Sequence, residues 1–97
     1  MTGPLPELGL DSVIARRPDP LTAPVDGELV MLDPRKSVYF GLDRIGYRIW
    51  DLLERPQSIG ELCGTLEREF EVSPETCQAD VLAFVDRMAQ ADLVEVR

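Results

Sequence analysis

Few residues in this chain could do covalent chemistry. The candidate hydroxyl nucleophiles are Ser12, Ser37, Ser58 and Ser73, the candidate thiolates are Cys63 and Cys77, and Asp and Glu together supply 18 carboxylates, but there is no histidine. Without histidine there is no Ser–His or Cys–His pair and no common zinc set, and the two cysteines are not spaced as CxxC. No carboxylate pair sits in the apolar setting that would split two pKa values into an acid and a base, and no Gly-rich loop could cradle phosphate. Each serine falls in a turn or just before a helical pattern, where its oxygen caps backbone amides instead of attacking a substrate. The cysteines occupy apolar positions of helical patterns, where a free thiol packs as a small hydrophobe. The residues therefore predict a protein with no catalytic group, no metal and no cofactor.

Charge narrows the field further. The net charge is −8 and the pI about 4.4. The ten basic residues are scattered, with Arg16–Arg17, Arg35–Lys36 and Arg44/Arg48 the only close groupings. Such a surface repels a phosphate backbone, so nucleic acid is not an expected partner. The N-terminus has no basic head followed by an apolar run, and no segment nears the roughly 20 apolar residues of a membrane span. A soluble, cytoplasmic protein is expected.

The elements that position these residues divide at Asp43. Residues 1–11, with Gly3, Pro4, Pro6 and Gly9, read as a flexible tail with Leu8 or Leu10 as a tether, and 12–97 as one domain. Val13–Arg16 reads as extended. Asp26–Gly27 marks a hairpin between Leu21–Val25 and Glu28–Leu32, and "DPRKS" makes a second reversal into a third strand, Val38–Leu42. Alternation places Val38, Phe40 and Leu42 on one face of that strand and Tyr39 and Gly41 on the other.

After Asp43, an N-cap, the period becomes 3.6. The first helix carries Ile45, Ile49, Leu52 and Leu53 on one stripe with Trp50 at its flank, and stops before Pro56. Ser58 and Glu61 form a capping box for a second helix with Ile59, Leu62, Cys63, Leu66 and Phe70 inward. Ser73 and Pro74 open a third helix, 74–91, with Cys77, Val81, Phe84, Val85 and Met88 inward. Leu93–Val96 is a short extended end. Strands followed by helices predict an α+β, winged-helix-like domain: a small three-stranded antiparallel sheet, then three helices. The third helix has a net negative polar face, unsuited to reading DNA.

The strand "VYFGL" contains neither proline nor lysine, the usual devices that stop an edge strand from pairing with another chain. Two readings follow. Either the edge accepts an extended peptide by β-augmentation, or Val38, Phe40 and Leu42 are simply core and the N-terminal segment covers the edge.

The ordered motifs "LVMLD", "YFGLD", "GYRIWDLL", "SIGEL", "DVLAF" and "ADLVE" resemble the PqqD-like family, or RiPP recognition elements, over about residues 12–96. The resemblance implies a non-catalytic, winged-helix-like peptide chaperone. Such a domain holds the leader of a ribosomally made precursor as an added strand and presents it to maturation enzymes. It implies peptide-binding positions Val38, Tyr39, Phe40, Gly41 and Leu42 on the strand and Cys77, Asp80, Val81, Phe84, Val85 and Met88 on the third helix. The partners it implies are a leader peptide and a leader peptidase or other maturation enzyme, with no membrane partner and a monomeric or weakly dimeric state. The form is most similar to the lasso-peptide members, with the pyrroloquinoline quinone pathway and its radical S-adenosylmethionine enzyme as the alternative. Ser37 and Asp43 stand where many relatives have Gly and Asn. The helix-one surface of Arg44, Tyr47, Arg48 and Asp51 reads as solvated, with an enzyme-facing role as the alternative.

Overall fold

The computed structural model describes residues 8–18 and 20–97. Along the chain these form β1 (Val13–Arg16), β2 (Leu21–Val25), β3 (Glu28–Asp33), β4 (Val38–Leu42), α1 (Arg44–Leu52), β5 (Gln57–Ser58), α2 (Ile59–Phe70), α3 (Pro74–Gln90) and β6 (Val94–Val96). The class is α+β, with the three helices in the expected places.

The strands make two sheets among the described residues, not one. β2, β3 and β4 form an antiparallel meander in that order, and β1 lies at the centre of a second sheet between β5 and β6. Residues 13–16 of the N-terminal segment are therefore occupied elsewhere: Val13 and Ile14 pair with β5, and Ile14 to Arg16 with β6. Leu8 packs on the core and the Leu10 carbonyl accepts from the Gly60 N–H at 3.0 Å, the tethering expected of these two leucines. Residues 1–7 of the expected tail lie outside the described residues.

Local chemistry sets both hairpins. Asp26 and Gly27 have φ of 52° and 82°, the positive values that a two-residue turn needs to match strand twist. The second reversal spans residues 34–37 and ends on Ser37 with φ of 53°, a left-handed conformation that only a glycine adopts without steric cost. It closes all the same, and the register pairs Asp33 with Val38, Met31 with Phe40 and Leu29 with Leu42. The helix starts behave as their sequences dictate. Asp43 accepts from the Gly46 N–H at 2.8 Å, Ser58 and Glu61 satisfy each other's amides, and Ser73 caps α3 ahead of Pro74.

One core joins these parts. Leu29, Met31 and Leu42 from the meander meet Ile49 of α1 and Leu53 just after it, Ile59, Leu62 and Leu66 of α2, and Val81, Val85 and Met88 of α3. Trp50, expected at the flank, is buried, whereas Ile45, Leu52 and Phe70 are only half-buried. Arg16 explains part of the Trp50 environment: its guanidinium stacks 5.4 Å from the ring centroid and donates to the Trp50 carbonyl at 2.9 Å.

Candidate functional site

β4 is an edge strand. It pairs with β3 on one side and with no described strand on the other. In an antiparallel strand alternate residues turn N–H and C=O away from the partner, so part of the β4 backbone is available for further pairing. Beside this edge a cavity of about 570 Å³ opens between the end of β4, the first turns of α1 and the outer side of α3. Gly41, Asp43 and Gly46 form one wall, and Asp80, Ala83, Phe84 and Arg87 the other.

Phe84 is the floor of this groove. Its ring lies against the start of α1, where a Cβ on Gly46 would sit 3.1 Å from Phe84 Cε2. Any larger residue at position 46 would therefore push the ring. Phe84 is 8% exposed, and the Arg87 guanidinium lies 5.8 Å from its ring centroid.

The predicted site residues divide accordingly. On β4, Tyr39 is 71% exposed, Val38 and Gly41 are also exposed, Phe40 is half-buried and Leu42 is core. On α3, Asp80 and Phe84 line the groove. Val85 and Met88 do not, because they point into the core with no exposed surface. Cys77 and Val81 are also buried, and line only a crevice of about 30 Å³ with Ile45, Leu66, Phe70 and Val72. The apolar stripe is the face that holds α3 to the domain, and the groove face lies beside it. Ala83 and Arg87 were missed because a small residue and an exposed charge at helical spacing read as a solvated surface. Only their spacing of three and seven from Asp80 signalled a shared face.

The start of β4, at Val38, is held by the hairpin loop. Lys36 Nζ donates to the Ala91 carbonyl at 3.2 Å and Arg35 Nη2 to the Asp92 carbonyl at 3.3 Å, just past the end of α3, where cations complement the helix dipole. Arg35 is itself held by Asp33, which accepts from its backbone N–H at 3.0 Å and from Nε at 3.3 Å. Burial opposes ionisation of the Asp33 carboxyl, but those hydrogen bonds and the charges of Arg35 and Lys36 outweigh it and hold the pKa below the ordinary value. The loop thus ties the start of β4 to the end of α3.

The two cysteines are free and buried, with Cys77 Sγ donating to the Cys63 carbonyl at 3.7 Å. Burial pushes the Cys63 thiol up to about 11 and the Cys77 thiol in the same direction, so neither is a nucleophile at neutral pH. Among the described residues no group of His, Cys, Asp or Glu could hold a metal ion, and no helix is long and apolar enough to cross a membrane.

A family model described as coenzyme PQQ synthesis protein D (PqqD) matches residues 28–94. The chain belongs to the PqqD family. Two solved structures share this PqqD fold. One, described as TbiB1 in complex with the TbiA(beta) leader peptide, is 32% identical with a TM-score of 0.75, covering 84% of this chain and 94% of its own. The other, a lasso peptide synthetase B1 complexed with the leader peptide, is 25% identical with a TM-score of 0.72, covering 84% and 96%. No curated protein matches the chain.

Two further surfaces of this PqqD domain bear on partners. The face of the meander turned away from the core carries exposed Leu21, Val25, Val30 and Tyr39, an apolar surface that ends at the free β4 edge. The helix-one surface is largely engaged in the fold. Arg48 makes a two-pronged pair with Glu69 at 2.8 Å, Arg44 lies 5.2 Å from the Phe70 ring centroid, and Tyr47 packs partly on the core.

Proposed function

We propose that this protein captures the leader segment of a ribosomally synthesised precursor peptide as an extra strand on β4, with leader side chains in the groove against α3, and presents it to maturation enzymes. One observation carries this reading: a strand edge with no blocking residue lies beside a groove floored by Phe84, in a chain similar to two proteins solved with leader peptides. The lasso assignment, with a leader peptidase and cyclase as partners, is supported by the second of those neighbours. The apolar outer face of the meander supports presentation, because an added strand would extend it and give an enzyme one surface made of both chains. The proposed role is binding without catalysis, as the family resemblance implies.

The energetics are adequate. An aromatic or aliphatic leader side chain burying about 100–150 Å² contributes roughly 2.5–4 kcal/mol. Two such anchors and a ladder along five residues, about 17 Å, must offset about 2–5 kcal/mol for ordering the leader. The expected affinity is micromolar or somewhat tighter, near −8 kcal/mol or below.

The test is fluorescence anisotropy with a labelled candidate leader peptide. Saturable binding that is lost with Phe84→Ala, in a variant shown by circular dichroism to be folded, supports the proposal. A folded variant with undiminished affinity contradicts it.

A further inference from the structure

The groove is electrically polarised along its length. Asp80 and Arg87 stand on either side of Phe84 on the groove face of α3, and both are exposed. Among the described residues neither is held in an ion pair. Asp43 and Glu28 line the same cavity, Asp43 just past the end of β4 and Glu28 at the start of β3, which the register brings together. The hairpin loop with Arg35 and Lys36 lies at the opposite end.

The direction of α3 relative to β4 follows from two contacts. Lys36, two residues before β4, reaches Ala91, just past α3, while Phe84 lies against Gly46, beyond the end of β4. Residue numbers therefore fall along α3 as they rise along β4. A strand added to β4 in the antiparallel sense, the commoner pairing, runs from the Asp80 end of the groove to the Arg87 end.

Spacing completes the argument. Asp80 and Arg87 are seven residues apart, about 10.5 Å along the helix axis. On one face of a strand, residues i and i+4 are about 13.5 Å apart with i+2 between them, a difference that long charged side chains span easily. Resting on the leader reading above, we infer that Asp80 and Arg87 select the leader's direction by charge. They favour a strand that reads, from its N-terminal side, Lys or Arg, any residue, a large apolar residue over Phe84, any residue, then Asp or Glu.

The inference can be separated from the reading it rests on. A phage-displayed library of random 12-residue peptides is selected on the wild-type protein, on the double variant Asp80→Arg, Arg87→Asp, and on Phe84→Ser, with folding of each checked by circular dichroism. The wild type is expected to enrich basic–apolar–acidic order and the charge-swapped protein the reverse. A selected peptide should lose about tenfold in affinity when its two charges are exchanged, and less of it at 0.5 M salt. Enrichment of an apolar anchor with the same charge pattern, or none, on both proteins overturns the directional role while leaving the groove in place. An acidic–apolar–basic order on the wild type overturns the stated direction. Enrichment that is indifferent to a folded Phe84→Ser defeats the leader reading itself, and this inference with it.

Discussion

The meander has two edges, and they are built differently. β2 is exposed along its whole length, carries Pro24 within the strand and follows Pro18 and Pro20. Proline offers no N–H and is confined to edge strands, so this edge is a poor template for another chain. β4 carries neither proline nor lysine, is bounded by a turn tied to the end of α3, and runs beside a groove with an aromatic floor. A hollow also lies beside β2, about 280 Å³, but Arg16, Arg17, Pro18, Pro20 and Pro24 line it and the Arg16 guanidinium covers Trp50. Sheet position alone does not make a docking edge. Among the described residues, an edge without proline and a groove with an aromatic floor coincide at β4.

Moving the blocking device between the edges should have the largest effect. Of Tyr39→Pro and Phe40→Pro, the one whose lost N–H faces away from β3 should leave the fold intact and weaken leader binding at least 100-fold, whereas Pro24→Val on β2 should leave affinity within about twofold. Anisotropy titrations on all three measure the contrast. Next in size is the groove floor. Phe84→Leu should lower leader affinity about tenfold and cost about 1–1.5 kcal/mol of stability in denaturant unfolding, because the ring is both pocket and core. Gly46→Ala should perturb binding more than stability, since the added Cβ displaces the Phe84 ring while improving helix propensity by about 1 kcal/mol.

Smaller effects test how the hairpin is held. Ser37→Gly should stabilise the domain by about 0.5–1 kcal/mol without changing affinity, since it relieves a positive φ away from the groove. The pH profile should be bounded on both sides. Asp33, Glu61 and Glu69 have native pKa values below their ordinary ones. For Asp33 the Arg35 contacts outweigh burial, Glu61 accepts from the Ser58 amide, and Glu69 is paired with Arg48. Their contribution is present above the unfolded value, about 4, and is lost as pH falls through the lower native values. Cys63 acts in the opposite sense. Its native pKa of about 11 lies above the ordinary 9.0, so stability is lost as pH rises from the lower value to the higher. Thermal unfolding across pH should show both declines, and both thiols should stay unreactive to a disulfide reagent until the chain unfolds.

Much of the proposed docking edge is legible in the sequence because it is encoded locally. Asp26–Gly27, the Asp33–Ser37 reversal and the Asp43 cap fix where β4 begins and ends, and the missing proline leaves it open. The second sheet is not legible, because β5 is only two residues, Gln57–Ser58, and its pairing with β1 closes a loop of more than 40 residues with no local signature. The groove face of α3 was half legible. Hydrophobic periodicity identifies the stripe that packs inward, so Val85 and Met88 were taken with Phe84. Asp80, Ala83 and Arg87 lie on the neighbouring stripe, of which the family resemblance implied Asp80 alone, because hydrophobic periodicity carries no signal for a polar or small residue on an outer face.

The most direct measurement is residue-resolved amide hydrogen exchange of β4 with and without leader. Strand addition predicts that the alternate β4 amides facing away from β3 exchange rapidly in the free protein and become protected on binding, while the β2 amides are unchanged. Saturated leader binding with no new protection in residues 38–42, or with protection appearing along β2, would contradict the account.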